Sequence, residues 1–156
     1  DSEEGSCLLI NVDLHSLKKL REKLDIPICG TEVIAGNNYS VANCIKDGIV
    51  DIVRTDVSWR AGITAVMKTA HLAESFGVKC ELHTTIYHGL EQVQLHPSLA
   101  ISNCEFFETL YPFDDFNFGT KSQLNIVDGY VMAPEGEGLC IDYDWDFIDK
   151  HTVAIL

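Results

Sequence analysis

Glu32, Asp56, His83 and Glu108 stand about 24 to 27 residues apart, and each follows an apolar run. Ile26-Pro27-Ile28-Cys29 leads through Gly30-Thr31 to Glu32. Val50-Asp51-Ile52-Val53 leads through Arg54-Thr55 to Asp56. Val78 to Leu82 ends at His83, and Cys104-Glu105-Phe106-Phe107 ends at Glu108. These residue types hold hard cations and move protons. Glu32 offers oxygen to a divalent cation. Asp56 and His83, on neighbouring strand ends, suit a hydrogen-bonded pair in which the carboxylate orients the imidazole and raises its basicity. Glu108 suits a hydrogen bond to a substrate from the far side. Taken singly, each has a bland alternative, because acidic residues often end strands and cap the next helix and a strand-end histidine is often structural. Their joint spacing argues for a shared site.

A spacing near 25 residues is about one βα unit, and the elements between the four residues fit that reading. Asp13 is placed to cap a helix with the stripe Leu14, Leu17, Leu20 and Leu24. Asn38 or Ser40 is placed to cap a second helix carrying Ala42 and Ile45 and stopped at Gly48. Gly62 to Phe76 is the clearest helix, with Ile63, Val66, Met67, Ala70 and Ala73 on one face and Gly77 as its C-terminal cap. A short helix is expected from Tyr87 to Leu95, ahead of Pro97. Asp128-Gly129-Tyr130-Val131 reads as a turn and strand, and Pro134 to Gly138 as a loop. Strands alternating with helices make a parallel sheet, either open and doubly wound or closed into a barrel. No GxGxxG or GxxxxGK[ST] follows a strand, so nucleotide folds lack their usual marker. In a (β/α) barrel the C-terminal strand ends ring one mouth, where the active site lies.

Composition narrows the function further. The chain has 156 residues, 46% hydrophobic and 22% charged, with a formal net charge of −13. That balance excludes a nucleic-acid backbone as partner, and an anionic substrate needs a local cation. No apolar run approaches the roughly 20 residues of a membrane span, and the first residues carry no signal-peptide pattern. None of the cysteines at positions 7, 29, 44, 80, 104 and 140 forms a CxxC pair. Cys29, Cys80 and Cys104 read as small buried hydrophobes rather than disulfides, which favours a reducing, cytoplasmic setting. His71, His88, His96 and His151 read as surface or packing residues. Trp59 suits either the rim of the mouth or the core.

The segments also resemble a known family. Ile26-Pro27-Ile28-Cys29-Gly30-Thr31-Glu32 is similar to the fifth-strand segment of the enolase superfamily, whose glutamate binds Mg²⁺. Val50 to Asp56 with Gly62-Ile63-Thr64 resembles the sixth, and Glu81-Leu82-His83 the seventh. Phe106-Phe107-Glu108 resembles the eighth-strand glutamate of the mandelate racemase branch. Asp128 to Val131 through Pro134-Glu135-Gly136-Glu137-Gly138-Leu139 looks like the C-terminal return segment. The match covers roughly residues 13 to 148.

The resemblance implies an α/β fold, the second half of a (β/α) TIM-like barrel over residues 1–127, with a return segment over 128–156 packing toward a capping domain. It implies Mg²⁺ on Glu32, a proton-moving dyad of Asp56 and His83, and Glu108 as a third catalytic residue. Glu3-Glu4 echoes the fourth-strand Glu-Glu-Pro, which makes Glu3 a second candidate ligand, although Gly5 stands where the proline would be. The implied activity is removal of a proton α to a carboxylate, with the resulting enediolate stabilised on Mg²⁺. Dehydration of an acid sugar is the expected outcome. Racemisation or epimerisation of a 2-hydroxy acid is the nearest alternative, and an inactive structural half-barrel is a third. A complete barrel takes roughly 250 residues, so the chain is expected to be a fragment or half of a split enzyme. The expected partners are a small acid-sugar or hydroxy-acid substrate and either a second copy or the missing half-barrel, with no nucleic acid and no membrane.

Overall fold

The structure is a computed structural model and describes residues 13–84 and 89–155. The chain begins there with helix α1 (Leu14–Lys23). Asp13 caps it, accepting from the Ser16 backbone N–H at 3.0 Å and from the Ser16 hydroxyl at 2.5 Å. Of the predicted stripe, Leu17 is buried and Leu20 packs against the core, while Leu14 and Leu24 stay exposed. The helix is anchored at its basic end, where Arg21 donates to Asp51 Oδ1 at 2.7 Å and to the Gly48 carbonyl at 2.9 Å.

Three parallel strands follow, β1 (Cys29–Gly30), β2 (Ile52–Thr55) and β3 (Lys79–Leu82), in the order β1-β2-β3. Gly30 pairs with Val53, and Thr55 with Leu82. β1 and β2 start later than the apolar runs suggested. Pro27 has no N–H to give a ladder, and the Ile28 N–H is taken by the Asp51 carboxylate at 2.9 Å.

Two helices alternate with these strands. Helix α2 (Asn37–Lys46) starts from Gly36, which sits at φ +93°, so neither Asn38 nor Ser40 is the cap. A Cβ at Gly36 would lie 2.1 Å from Ser40 Oγ, so that hydroxyl would have to turn away, and the φ of +93° is itself one that side-chain-bearing residues rarely adopt. Asn38 instead accepts from Thr69 Oγ1 at 2.7 Å, tying α2 to α3 (Ile63–Ser75). Helix α3 buries Val66, Thr69, Ala70 and Ala73 and ends at Gly77, φ +68°, as the periodicity indicated. The core lies between these helices and the sheet, around Val41, Cys44, Val53, Val66, Ala70, Ala73 and Cys80.

Two sequence expectations need correcting. The helix placed at Tyr87–Leu95 is α4 (Leu90–Ala100), and it runs through Pro97 instead of stopping before it. Pro97 leaves the Val93 carbonyl without its helical donor, but its ring is fully buried, and burial offsets part of that loss. Tyr87 and His88 lie outside the described residues. The expected fourth strand, Cys104–Phe107, makes only one parallel bridge, Phe107 to Leu82. The reason is Glu81. Its carboxylate takes the N–H groups of Glu105 and Phe106, each at 3.1 Å, so a side chain replaces the ladder.

The remaining chain holds a one-turn helix α5 (Phe113–Phe116), a hairpin of β4 (Ile126–Val127) and β5 (Tyr130–Val131), and helix α6 (Trp145–His151). Asp128 and Gly129 both have positive φ, 52° and 82°, the backbone a two-residue hairpin turn demands. The cysteines are thiols among the described residues. No helix among them is long and apolar enough to cross a membrane.

Candidate active site

Extending the sheet register by one residue aligns Asp56, His83 and Glu108, because Thr55 pairs with Leu82 and Leu82 bridges to Phe107. Glu32 follows the end of β1 on the same edge. All four candidate residues within the described chain therefore meet at one edge of the sheet. Glu3 lies outside the described residues.

Asp56 is fully buried and uses both carboxylate oxygens. Oδ1 accepts the Trp59 N–H at 2.5 Å and the Ser58 hydroxyl at 3.2 Å, which closes the turn after β2. Oδ2 lies 3.2 Å from His83 Nδ1. The turn is also pinned from α4, where buried Gln94 accepts the Val57 N–H at 3.0 Å.

His83 Nδ1 makes a second contact that the spacing did not suggest: it meets Glu32 Oε1 in a short charged contact. Burial pulls the His83 pKa down, but its hydrogen bonds to Asp56 and Glu32 and the Glu32 charge outweigh it, and the pKa rises from 6.5 to about 9. The imidazolium is then the form present at neutral pH.

Glu32 is 4% exposed in its side chain and is also faced by Arg54, with Nε 3.4 Å from Oε2. Arg54 reaches on to Glu108 Oε2 at 2.5 Å. Burial opposes the charge on Arg54, yet Glu108, Cys29 and Glu32 together raise its pKa. Glu108 also accepts the Thr84 N–H at 3.2 Å. Its position at the rim was anticipated, but its partner Arg54 was not. The signal was available: Arg54 and Asp56 are two residues apart along one strand run, and side chains two apart share a face.

The backbone entering Glu32 is unusual. Thr31, β-branched and buried, sits at φ +89°, a region such residues avoid. Its hydroxyl donates to the Arg54 carbonyl at 3.0 Å, and its own carbonyl accepts from Arg60 Nη2. Arg60 was also missed by sequence reasoning. Burial lowers its pKa, with Asp56 and Glu32 offsetting part of the effect.

Glu32, Asp56 and His83 each bring one ligand atom within 4.8 Å of the others. Asp56 is already committed to the turn and the imidazole, whereas Glu32 presents a buried carboxylate faced by His83 and Arg54. One such carboxylate, with water and substrate oxygens, fits the way Mg²⁺ is usually bound. Of the other histidines, His71 and His151 are exposed and His96 is half-buried. His151 stacks on Phe147 with centroids 4.1 Å apart.

Parallel strands alternating with helices, with Glu32, Asp56, His83 and Glu108 gathered at their C-terminal ends, define a barrel-type domain. The chain belongs to the enolase C-terminal domain-like family, whose model matches residues 9–147. It is 29% identical to the arabinonate dehydratase of Saccharolobus solfataricus over 122 residues, covering 78% of this chain and 32% of that protein. It is 40% identical to the D-glucarate dehydratase from Agrobacterium tumefaciens, solved in complex with magnesium; the TM-score is 0.76, covering 88% of this chain and 36% of that one. A Pseudovibrio sp. structure classed with mandelate racemase/muconate lactonizing enzymes aligns with TM-score 0.84 at 29% identity, covering 92% of this chain and 38% of that one. The chain thus spans about a third of the length of these relatives.

Proposed function

We propose that this chain contributes the dyad half of a Mg²⁺-dependent acid-sugar dehydratase site. The observation that carries the reading is His83 Nδ1 gripped by both Asp56 and Glu32. Asp56 on Nδ1 fixes the ring and favours its protonated form, the state a general acid needs, and Glu32 adds to this only while it carries no Mg²⁺. With Nδ1 turned to the carboxylates, Nε2 is the nitrogen that delivers the proton to a departing β-hydroxyl. Asp56 holds the ring orientation, and Glu108, steadied by Arg54, hydrogen-bonds the substrate. Glu32 would hold Mg²⁺, together with acidic groups from outside the described residues such as Glu3. The bound ion would polarise the substrate carboxylate and so acidify the α-proton. Residues 128–156 serve as the return segment toward a capping domain. Dehydratase names among the relatives favour dehydration over racemisation.

The test follows substrate protons in deuterated buffer. In the active enzyme, His83→Asn should abolish acid-sugar dehydration and any proton exchange from the His83 face while leaving the thermal unfolding cooperative. Full turnover by that variant would overturn the assignment.

A further inference from the structure

Thr31, directly before Glu32, is buried and β-branched yet sits at φ +89°. Side chains of that shape avoid positive φ. Such outliers persist only where the surrounding structure over-determines them, and they cluster at functional sites. The Thr31–Glu32 peptide sets the plane from which the Glu32 side chain leaves, so whatever holds Thr31 also aims Glu32.

Two neighbours hold it. The Thr31 hydroxyl donates to the Arg54 carbonyl at 3.0 Å and accepts the Arg54 N–H at 3.3 Å, which fixes the side chain to β2. The Thr31 carbonyl accepts from Arg60 Nη2. That carbonyl belongs to the Thr31–Glu32 peptide itself, so Arg60 grips the plane that matters.

Arg60 is brought there by the turn that follows Asp56. Asp56 Oδ1 accepts the Trp59 N–H at 2.5 Å, and the Gly62 N–H donates to the Val57 carbonyl at 2.8 Å. Within this turn Trp59 stays 63% exposed, while Arg60 turns inward and is 7% exposed. Burial opposes the Arg60 charge, and Asp56 and Glu32 favour it.

We propose that Arg60 is a positioning residue for the metal ligand: by holding the Thr31 carbonyl it locks the Thr31–Glu32 peptide and directs the Glu32 carboxylate toward the cation. This rests on the proposed Mg²⁺ site and adds a residue that acts on it without touching the ion. The same turn carries Asp56, so one piece of backbone sets both the dyad and the metal carboxylate.

The sign of the effect identifies the role. By charge alone, a guanidinium near Glu32 repels a divalent cation, so removing it would tighten Mg²⁺ binding. By positioning, removing it lets Thr31 relax toward negative φ and Glu32 swing away, so Mg²⁺ binding weakens. Residues that orient a metal ligand typically account for about 10–100-fold in affinity.

Mg²⁺ affinity is measured by calorimetry in the active enzyme, not in this chain alone, with urea unfolding to show that each variant is folded. Arg60→Met keeps the apolar stem and removes the donors, and it should weaken Mg²⁺ about tenfold or more. Arg60→Lys keeps the charge but not the planar fork. It should lose less yet still bind more weakly than the parent, and it carries the test if Arg60→Met does not fold. Glycine takes positive φ without strain, so Arg60→Met should lose less affinity in a Thr31→Gly background than in the parent. Unchanged or tighter binding in the Arg60 variants, or an equal loss with and without Thr31, would overturn the positioning role. Glu32→Gln is scored separately. Mg²⁺ binding untouched by Glu32→Gln removes the proposed metal site, whereas binding lost in Glu32→Gln and kept in Arg60→Met removes only the role of Arg60.

Discussion

Replacing Glu32 with glutamine removes one of the two carboxylates on His83 Nδ1 and keeps the side-chain shape. A hydrogen bond to a charged group contributes about 1.5–3 kcal/mol, and one pKa unit is about 1.4 kcal/mol. His83 should therefore fall from about 9 by roughly one to two units. The linked stability has a definite sign. A histidine whose folded pKa is raised stabilises the fold fully below its unfolded value of 6.5, and that contribution fades as pH climbs through about 9. The shift corresponds to about 3 kcal/mol in the parent protein and about half of that in Glu32→Gln. The assay is a nitrogen-detected NMR titration of His83 from pH 6 to 10 without metal, paired with urea unfolding at both ends of the range. A Glu32→Gln protein whose His83 titrates where the parent's does would show that the Glu32 contact contributes nothing to the shift. Mg²⁺ on Glu32 would compete for the same oxygen, so Mg²⁺ binding should tighten as pH rises across this window.

Glu81→Ala strips the acceptors from the Glu105 and Phe106 N–H groups. It should cost about 2–4 kcal/mol and speed amide exchange at those two positions ahead of β2; unchanged protection there would refute the account of the missing strand. Gln94→Leu leaves the Val57 N–H without its acceptor and should cost about 1–3 kcal/mol in urea unfolding. The cost would vanish only if that N–H finds water. Calorimetry on the 156-residue chain should find Mg²⁺ binding no tighter than about millimolar, since the Glu32 carboxylate is a single ligand for a cation that wants six oxygens at about 2.1 Å. A micromolar site abolished by Glu32→Gln would mean the chain completes the metal site by itself.

The placing of the candidate site residues on one edge was legible in the sequence because a βα unit has a characteristic length. Once strands alternate with helices in parallel, residues that follow each apolar run arrive at one edge, and Asp56, His83 and Glu108 do so in a single row. Helix α3 was legible for a related reason, since a long apolar period and a glycine stop are both local. What surrounds the imidazole was not. Spacing places Glu32 at the rim but does not say that its carboxylate turns onto His83, because that depends on Thr31 adopting φ +89° under the grip of Arg54 and Arg60. Nor does periodicity reveal that Glu81 takes the backbone N–H groups of the fourth expected strand, or that Pro97 lies inside a helix. These outcomes were decided by tertiary structure, for one physical reason. A backbone N–H or a buried charge takes whichever partner the packed chain brings within reach, and those partners are 23 to 54 residues away in sequence.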